Sequence, residues 1–185
     1  MFFLLLTSNF LLFYIYRMNK IAVFAGSFDP FTLGHLDLVK RAAALFDEVY
    51  VLLATNASKK YMFPESTRME MVRSAVAGIP NVKAECFGGL TVDFMKRVGA
   101  KFLVRGIRAS ADVGYEQTVA WNNRVLYPEC ETVFLSSPPE HLMVSSTVVR
   151  ELLKAGIGKT KQGRAKLAKF VPESTIPLLL NPTDL

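Results

Sequence analysis

The chain has 185 residues, 51% of them hydrophobic and 21% charged, with 11 glycines and 9 prolines. That composition suits one domain with a sizeable core and excludes disordered, collagenous and low-complexity scaffolds. The net charge of +6 favours an anionic partner, a demand that a phosphate-bearing metabolite meets as well as nucleic acid or a membrane surface.

Residues 1–17, MFFLLLTSNFLLFYIYR, are apolar apart from Thr7-Ser8-Asn9 and Arg17. They lack the basic n-region and small-x-small cleavage site of a secretory signal. The polar interruption leaves a run too short for a transmembrane helix. We expect an extraneous or disordered apolar extension, with the domain occupying 18–185 and starting at Met18; a membrane-touching anchor is the alternative. Two cysteines, Cys86 and Cys130, stand far apart with no clustered histidines. Neither a disulfide framework nor a zinc site is expected, and both read as buried small hydrophobes in a reducing cytosol.

Ile21-Ala22-Val23-Phe24 is a continuous apolar run, the pattern of a strand buried on both faces. Gly26 to Gly34 reads as a loop, and His35 to Phe46 as a helix with Leu36, Val39, Ala43 and Phe46 on one face. Val49 to Ala54 is a second strand. The polar loop Thr55 to Pro64 leads into a helix with Met69, Val72, Val76 and Ile79 in register. Val82 to Phe87, Phe102-Leu103-Val104 and Thr132 to Leu135 are three further strands, separated by helices over Val92 to Val98 and Ala111 to Leu126. Ser145 to Ala155 is a helix that Gly156 ends as its C′ residue. This alternation predicts an α/β fold: a single-domain, doubly wound parallel five-stranded sheet with right-handed crossovers. In such sheets ligands bind beyond the carboxyl ends of the strands, which directs attention to loops 25–35, 55–64, 88–91, 105–110 and 136–147.

In the first loop, Gly26 and Gly34 let backbone approach a ligand closely, and Gly34-His35 opens a helix whose free N–H groups attract phosphate. His35 reads either as a hydrogen-bond donor to a phosphoryl oxygen or as an N-terminal cap. Lys59 and Lys60 follow strand two, where an ammonium reaches an anion as a point charge or is simply solvated. Arg105 and Arg108 flank Gly106-Ile107 directly after the fourth strand, placed to grip phosphates with forked hydrogen bonds. Glu116 on the next helix is a ligand-side acid or a surface carboxylate. Ser145-Ser146-Thr147 bring hydroxyls and free N–H groups to one helix start, a phosphate cradle where a plain cap needs a single hydroxyl.

Gly26-Ser27-Phe28-Asp29-Pro30-x-Thr32-x-Gly34-His35 resembles the T/H-x-G-H motif of the nucleotidyltransferase superfamily that also holds class I aminoacyl-tRNA synthetases. With Thr32 where several relatives carry histidine, and with Ser58-Lys59-Lys60, Arg105-Gly106-Ile107-Arg108, Asp112, Tyr115-Glu116 and Ser145-Ser146-Thr147-x-x-Arg150 following in order, the chain from Lys20 to Leu153 is similar to the phosphopantetheine adenylyltransferases. The resemblance implies a Rossmann-like nucleotidyltransferase fold and attack by the phosphate of 4′-phosphopantetheine on the α-phosphorus of ATP, expelling pyrophosphate. It implies that His35 stabilises the transition state, Lys59 orients the nucleophile and Arg108 holds ATP. Ser27, Lys59, Thr91 and Arg105 would border phosphopantetheine. Ser27, Phe28, His35, Gly106, Ile107, Arg108, Glu116, His141, Leu142, Met143, Val144, Ser145, Ser146 and Thr147 would border ATP. Mg²⁺ is expected to accompany ATP with mostly water as its other ligands and no protein metal site. A cytoplasmic homo-oligomer, a hexamer by resemblance, is expected, with no nucleic-acid or membrane partner.

This sequence departs from the family pattern in three places. His141 stands where Trp or Tyr is usual, Val113-Gly114 replaces Phe-Glu at a helix start, and Lys159 to Lys169 is a basic insertion read as a solvated face that Gly163 weakens as a helix. The alternatives are a nicotinate or nicotinamide mononucleotide adenylyltransferase, which shares the first motif and the Ser/Thr-rich helix start, and a basic nucleic-acid-binding module. Thr32 and the Arg-Gly-x-Arg segment count against the first, and the absence of aromatics from the basic run counts against the second.

Overall fold

The computed structural model describes residues 19–55 and 58–180, so the extension 1–17 and the expected start at Met18 lie outside the described residues. Strands β1 (Ile21–Gly26), β2 (Glu48–Ala54), β3 (Val82–Phe87), β4 (Phe102–Ile107) and β5 (Glu131–Ser136) form one sheet in the order β3-β2-β1-β4-β5. Every pairing is parallel. β1 is therefore central, which accounts for its unbroken apolar run. Ala22 and Phe24 enter one core, while the intervening Val23 and Ala25 enter the opposite one.

Helix α1 (Leu33–Leu45) and helix α2 (Glu65–Val76) cover the first face through Leu38, Val39, Met69 and Val72. Helix α3 (Thr91–Val98) covers the second through Phe94 and Met95. Helix α4 (Ser110–Leu126) lies along β4 and β5, and α5 (Ser146–Lys154) returns to the first face with Val149 and Leu153. Cys130 is buried, whereas Cys86 on the edge strand β3 is only half-buried, and both thiols are free.

Several details near the site differ from the sequence pattern, each for a physical reason. β4 runs to Ile107 because β5 continues the ladder past the apolar residues, pairing Arg105 with Phe134, Gly106 with Leu135 and Ile107 with Ser136. Arg105 is consequently a strand residue, and only Arg108 follows the strand. α1 starts at Leu33 rather than His35, which shortens the first loop to residues 27–32. α4 continues through Val113-Gly114, so that pair does not interrupt the helix start.

The basic run is a solvated helix face as read, its cationic residues exposed, and only the expectation that Gly163 weakens the helix is corrected. Residues 161–167 form α6 (Lys161–Leu167), with Thr160 accepting from the Gly163 N–H at 3.0 Å and Leu167 fully buried. A Cβ on Gly163 would stand 2.7 Å from the Gly158 backbone nitrogen. Glycine is used there for close backbone contact, and the cationic side chains cover an inward apolar face. After a 3₁₀ turn at Glu173–Thr175, a short helix α7 (Ile176–Leu179) completes the core with Val171 and Leu179.

Candidate active site

The carboxyl ends of β1 and β4 and the start of α5 meet at a cavity of about 310 Å³. Its floor is the loop 27–32. Phe28 adopts φ 45°, a left-handed conformation that a bulky side chain takes only under constraint. Its ring is buried between Phe24 and Phe31, at centroid distances of 5.6 and 5.2 Å. A Cβ at Gly26 would lie 2.7 Å from that ring. The strained loop is thus fixed by an aromatic plug.

Thr32 caps α1, and His35 is the third residue of the first turn. The Thr32 backbone N–H donates to His35 Nδ1 at 3.0 Å, and the Thr32 hydroxyl lies 3.0 Å from the same nitrogen. Nδ1 is accordingly the unprotonated nitrogen, and Nε2 carries the proton. The half-buried His35 packs against the rings of Phe24, Phe28 and Phe31, at centroid distances of 6.2, 5.1 and 5.4 Å. This burial, followed by the nearby positive charges of Arg108 and Arg105, lowers its pKa from 6.5 to about 4. His35 completes the cap, and the same contacts hold its Nε2–H available as a donor.

Arg105 Nε and Nη2 each donate to a Glu116 carboxylate oxygen at 2.7 Å, and Nη1 donates to the Ala25 carbonyl at 3.0 Å. Arg105 and Glu116 therefore form one bidentate pair lining this cavity. Arg108 lines it too, 3.5 Å from Asp112. The Asp112 carboxyl is held below its usual range by the backbone N–H of Arg108 and, against a desolvation cost, that of Ala109.

At the start of α5 each hydroxyl has its own task. Ser145 Oγ caps the helix by accepting from the Val148 N–H at 3.2 Å, Ser146 Oγ donates to the Pro30 carbonyl at 2.8 Å, and Thr147 Oγ1 accepts from Arg150 Nη2 at 3.1 Å. These bonds position the helix over the loop, and its first-turn N–H groups and positive dipole end face the cavity. All three hydroxyls are thus engaged within the chain.

A second hollow of about 450 Å³ adjoins the same loop, lined by Lys59, Lys60, Arg150 and Lys154 together with Ser27, Asp29, Tyr61 and Met62. Of the residues expected to border ligands, Phe28, His35, Arg105, Gly106, Arg108, Glu116, His141, Val144, Ser145, Ser146 and Thr147 line the first cavity. Ser27 and Lys59 line the second. Ile107, Leu142, Met143 and Thr91 line neither; Leu142 and Met143 are 42% and 81% exposed, and Thr91 opens α3.

Sequence reasoning gave no role to Asp29, Arg68 or Arg150. Asp29 accepts the Met62 and Phe63 N–H groups on its two carboxylate oxygens at 2.9 and 3.0 Å, and Arg150 Nη1 donates to its carbonyl at 2.6 Å. For Arg150 a signal existed: it follows Thr147 by three residues, one helical turn, and so shares its face.

A β1-loop-α1 floor that presents a neutral histidine, facing a helix N-terminus across an arginine-bearing strand end, defines a nucleotidyltransferase site. The Cytidylyltransferase-like family model matches residues 23–152. Curated proteins named phosphopantetheine adenylyltransferase are similar over most of their length. The protein of Dictyoglomus turgidum is 47% identical over 73% of this chain and 84% of its own. That of Lacticaseibacillus casei is 51% identical over 75% and 83%, and that of Lachnoclostridium phytofermentans 42% over 86% and 93%. The chain belongs to the phosphopantetheine adenylyltransferase family. Among solved structures, a putative nicotinate-nucleotide adenylyltransferase from Vibrio parahaemolyticus superposes with a TM-score of 0.60 at 21% identity, covering 89% of this chain and all of that one. Thermotoga maritima TmcAL gives 0.61 at 13% identity, covering 90% and 56%. These two share the fold.

Proposed function

We propose that the protein transfers the adenylyl group of ATP to 4′-phosphopantetheine, yielding dephospho-coenzyme A and pyrophosphate. An oxygen of the acceptor phosphate forms a bond to the α-phosphorus as the bond from that phosphorus to the bridging oxygen of the β-phosphate breaks. His35 Nε2–H donates to the α-phosphoryl oxygens as charge builds on them, Arg108 and the start of α5 hold the nucleotide phosphates, and Lys59 aims the acceptor phosphate from the neighbouring hollow. Alignment and fixed dipoles carry such a reaction without a protein nucleophile. The observation that carries this reading is that one loop, 27–32, floors the histidine-bearing cavity and borders the lysine-lined hollow. The family membership supports the choice of acceptor.

Arg105, fixed by its bidentate pair with Glu116, keeps the acceptor-side role that the resemblance implies. Among the described residues no group of three His, Cys, Asp or Glu side chains converges, and Glu116 is engaged by Arg105. Mg²⁺ accompanying ATP, as the resemblance implies, would neutralise phosphate charge when bound. A cytoplasmic location is part of the proposal by family resemblance. A homo-oligomer, hexameric by family resemblance, is part of the proposal. Pyrophosphate release measured with phosphopantetheine and, separately, with nicotinamide mononucleotide tests the reading. Turnover only with the latter would overturn it.

A further inference from the structure

We propose that Arg68 is a positioning residue that sets the Lys59–Lys60 loop over the acceptor hollow, working through the Tyr61 ring and the carbonyls of Ser27 and Phe63. The inference rests on the reading of that hollow as the phosphopantetheine side. Arg68 projects from α2 and is only 2% exposed, unusual for a residue type that seldom goes fully inside unpaired. Its Nε donates to the Phe63 carbonyl at 3.1 Å and its Nη1 to the Ser27 carbonyl at 2.7 Å. Its guanidinium carbon lies 3.8 Å from the centroid of the Tyr61 ring. One planar group therefore binds the 27–29 segment and the 61–63 segment together, and the ring it stacks on is a wall of the hollow.

Asp29 adds the complementary tie by accepting the N–H groups of Met62 and Phe63. Lysine side chains are flexible, so the reach of Lys59 depends on where its backbone is held. A lysine in place of Arg68 would keep the charge and lose the fork that spans two carbonyls and stacks on an aromatic face.

Steady-state kinetics with each substrate varied, on wild type, Tyr61→Ala, Tyr61→Phe and Arg68→Lys, tests this, with the melting temperature recorded for each. Tyr61→Ala and Arg68→Lys should raise KM for phosphopantetheine by about tenfold, the scale of a partly desolvated cation–π contact, and leave KM for ATP within about twofold. Tyr61→Phe, which keeps the ring face, should restore the wild-type value. A role that is only structural would lower the melting temperature and the active fraction while leaving both KM values in place, and that result overturns the proposal. So does an equal rise in the two KM values. If Arg68→Lys does not fold, the half-buried Tyr61 pair decides alone. A wild type inactive with phosphopantetheine would instead overturn the functional reading, and this inference with it, whereas an active wild type with an unmoved acceptor KM removes only the inference.

Discussion

At the residue scale the site turns on keeping His35 neutral with its proton on Nε2. Three phenylalanine rings disfavour the charged form, and the Thr32 N–H occupies the nitrogen that would have to take the extra proton. Nuclear magnetic resonance of the free protein should find Nδ1 unprotonated and a titration near 4 instead of 6.5; a midpoint at 6.5 or above would refute this account of the site. The linkage has a definite sign. The folded pKa lies below the unfolded one, so the stability from burying neutral His35 is complete above pH 6.5 and lost as pH falls toward 4. His35→Gln should flatten that part of the stability profile. His35→Ala should lower kcat by about 10²–10³-fold, as loss of one transition-state donor does, with ATP binding retained in calorimetry. The Arg105–Glu116 pair behaves differently. Arg105→Ala strands a mostly buried carboxylate and should destabilise the fold by roughly 3 kcal/mol in chemical denaturation, whereas the double variant with Glu116→Gln should recover part of that loss.

At the element scale, apolar runs and helical periodicity located every strand and every helix through α5, because each buries a face whose spacing is fixed by its own geometry. The strand ends were less legible. Arg105 and Gly106 do not look like strand residues, yet β5 supplies hydrogen-bond partners up to Ile107, and sequence-local reading does not see a neighbour strand. The loops that line the cavity were legible because glycine, histidine and consecutive hydroxyls are costly to place without purpose. Their division of labour was hidden, since only the folded chain reveals that Ser146 bonds Pro30 and Thr147 bonds Arg150. Two glycines, both inside helices, make the distinction testable. A Cβ at Gly114 would meet nothing within 4 Å, so Gly114→Ala should stabilise the protein by about 0.5–1 kcal/mol. Gly163→Ala meets the Gly158 backbone at 2.7 Å and should instead destabilise it, despite the identical gain in helix propensity. Thermal melts of the two variants moving in the same direction would contradict this packing of α6.

At the scale of the whole molecule, the segment after α5 is part of the catalytic scaffold. Leu167, Val171 and Leu179 are fully buried in the same core that holds Phe31, Leu38 and Val39 of the loop and α1. The Phe170 carbonyl accepts the Leu33 N–H at 2.8 Å. That N–H is one of the first-turn donors a helix cannot satisfy for itself, and it lies two residues from His35. Packing of the C-terminal segment and placement of the histidine are therefore joined by a direct bond as well as by shared burial. Removing the side chain that anchors this segment should be felt throughout. Leu167→Ala leaves a cavity in a region with no exposed surface and should lower unfolding free energy by about 2–5 kcal/mol. The loss should come as a single cooperative transition, monitored together by far-ultraviolet circular dichroism and by Trp121 fluorescence, because both cores share the strands of one sheet and neither melts first. At temperatures where the variant remains folded, its kcat should fall only modestly, since the Leu33–Phe170 bond and the Thr32 cap persist. Two separate transitions, or a loss below about 1 kcal/mol, would mean that the C-terminal segment is an appendage and that α1 is positioned without it.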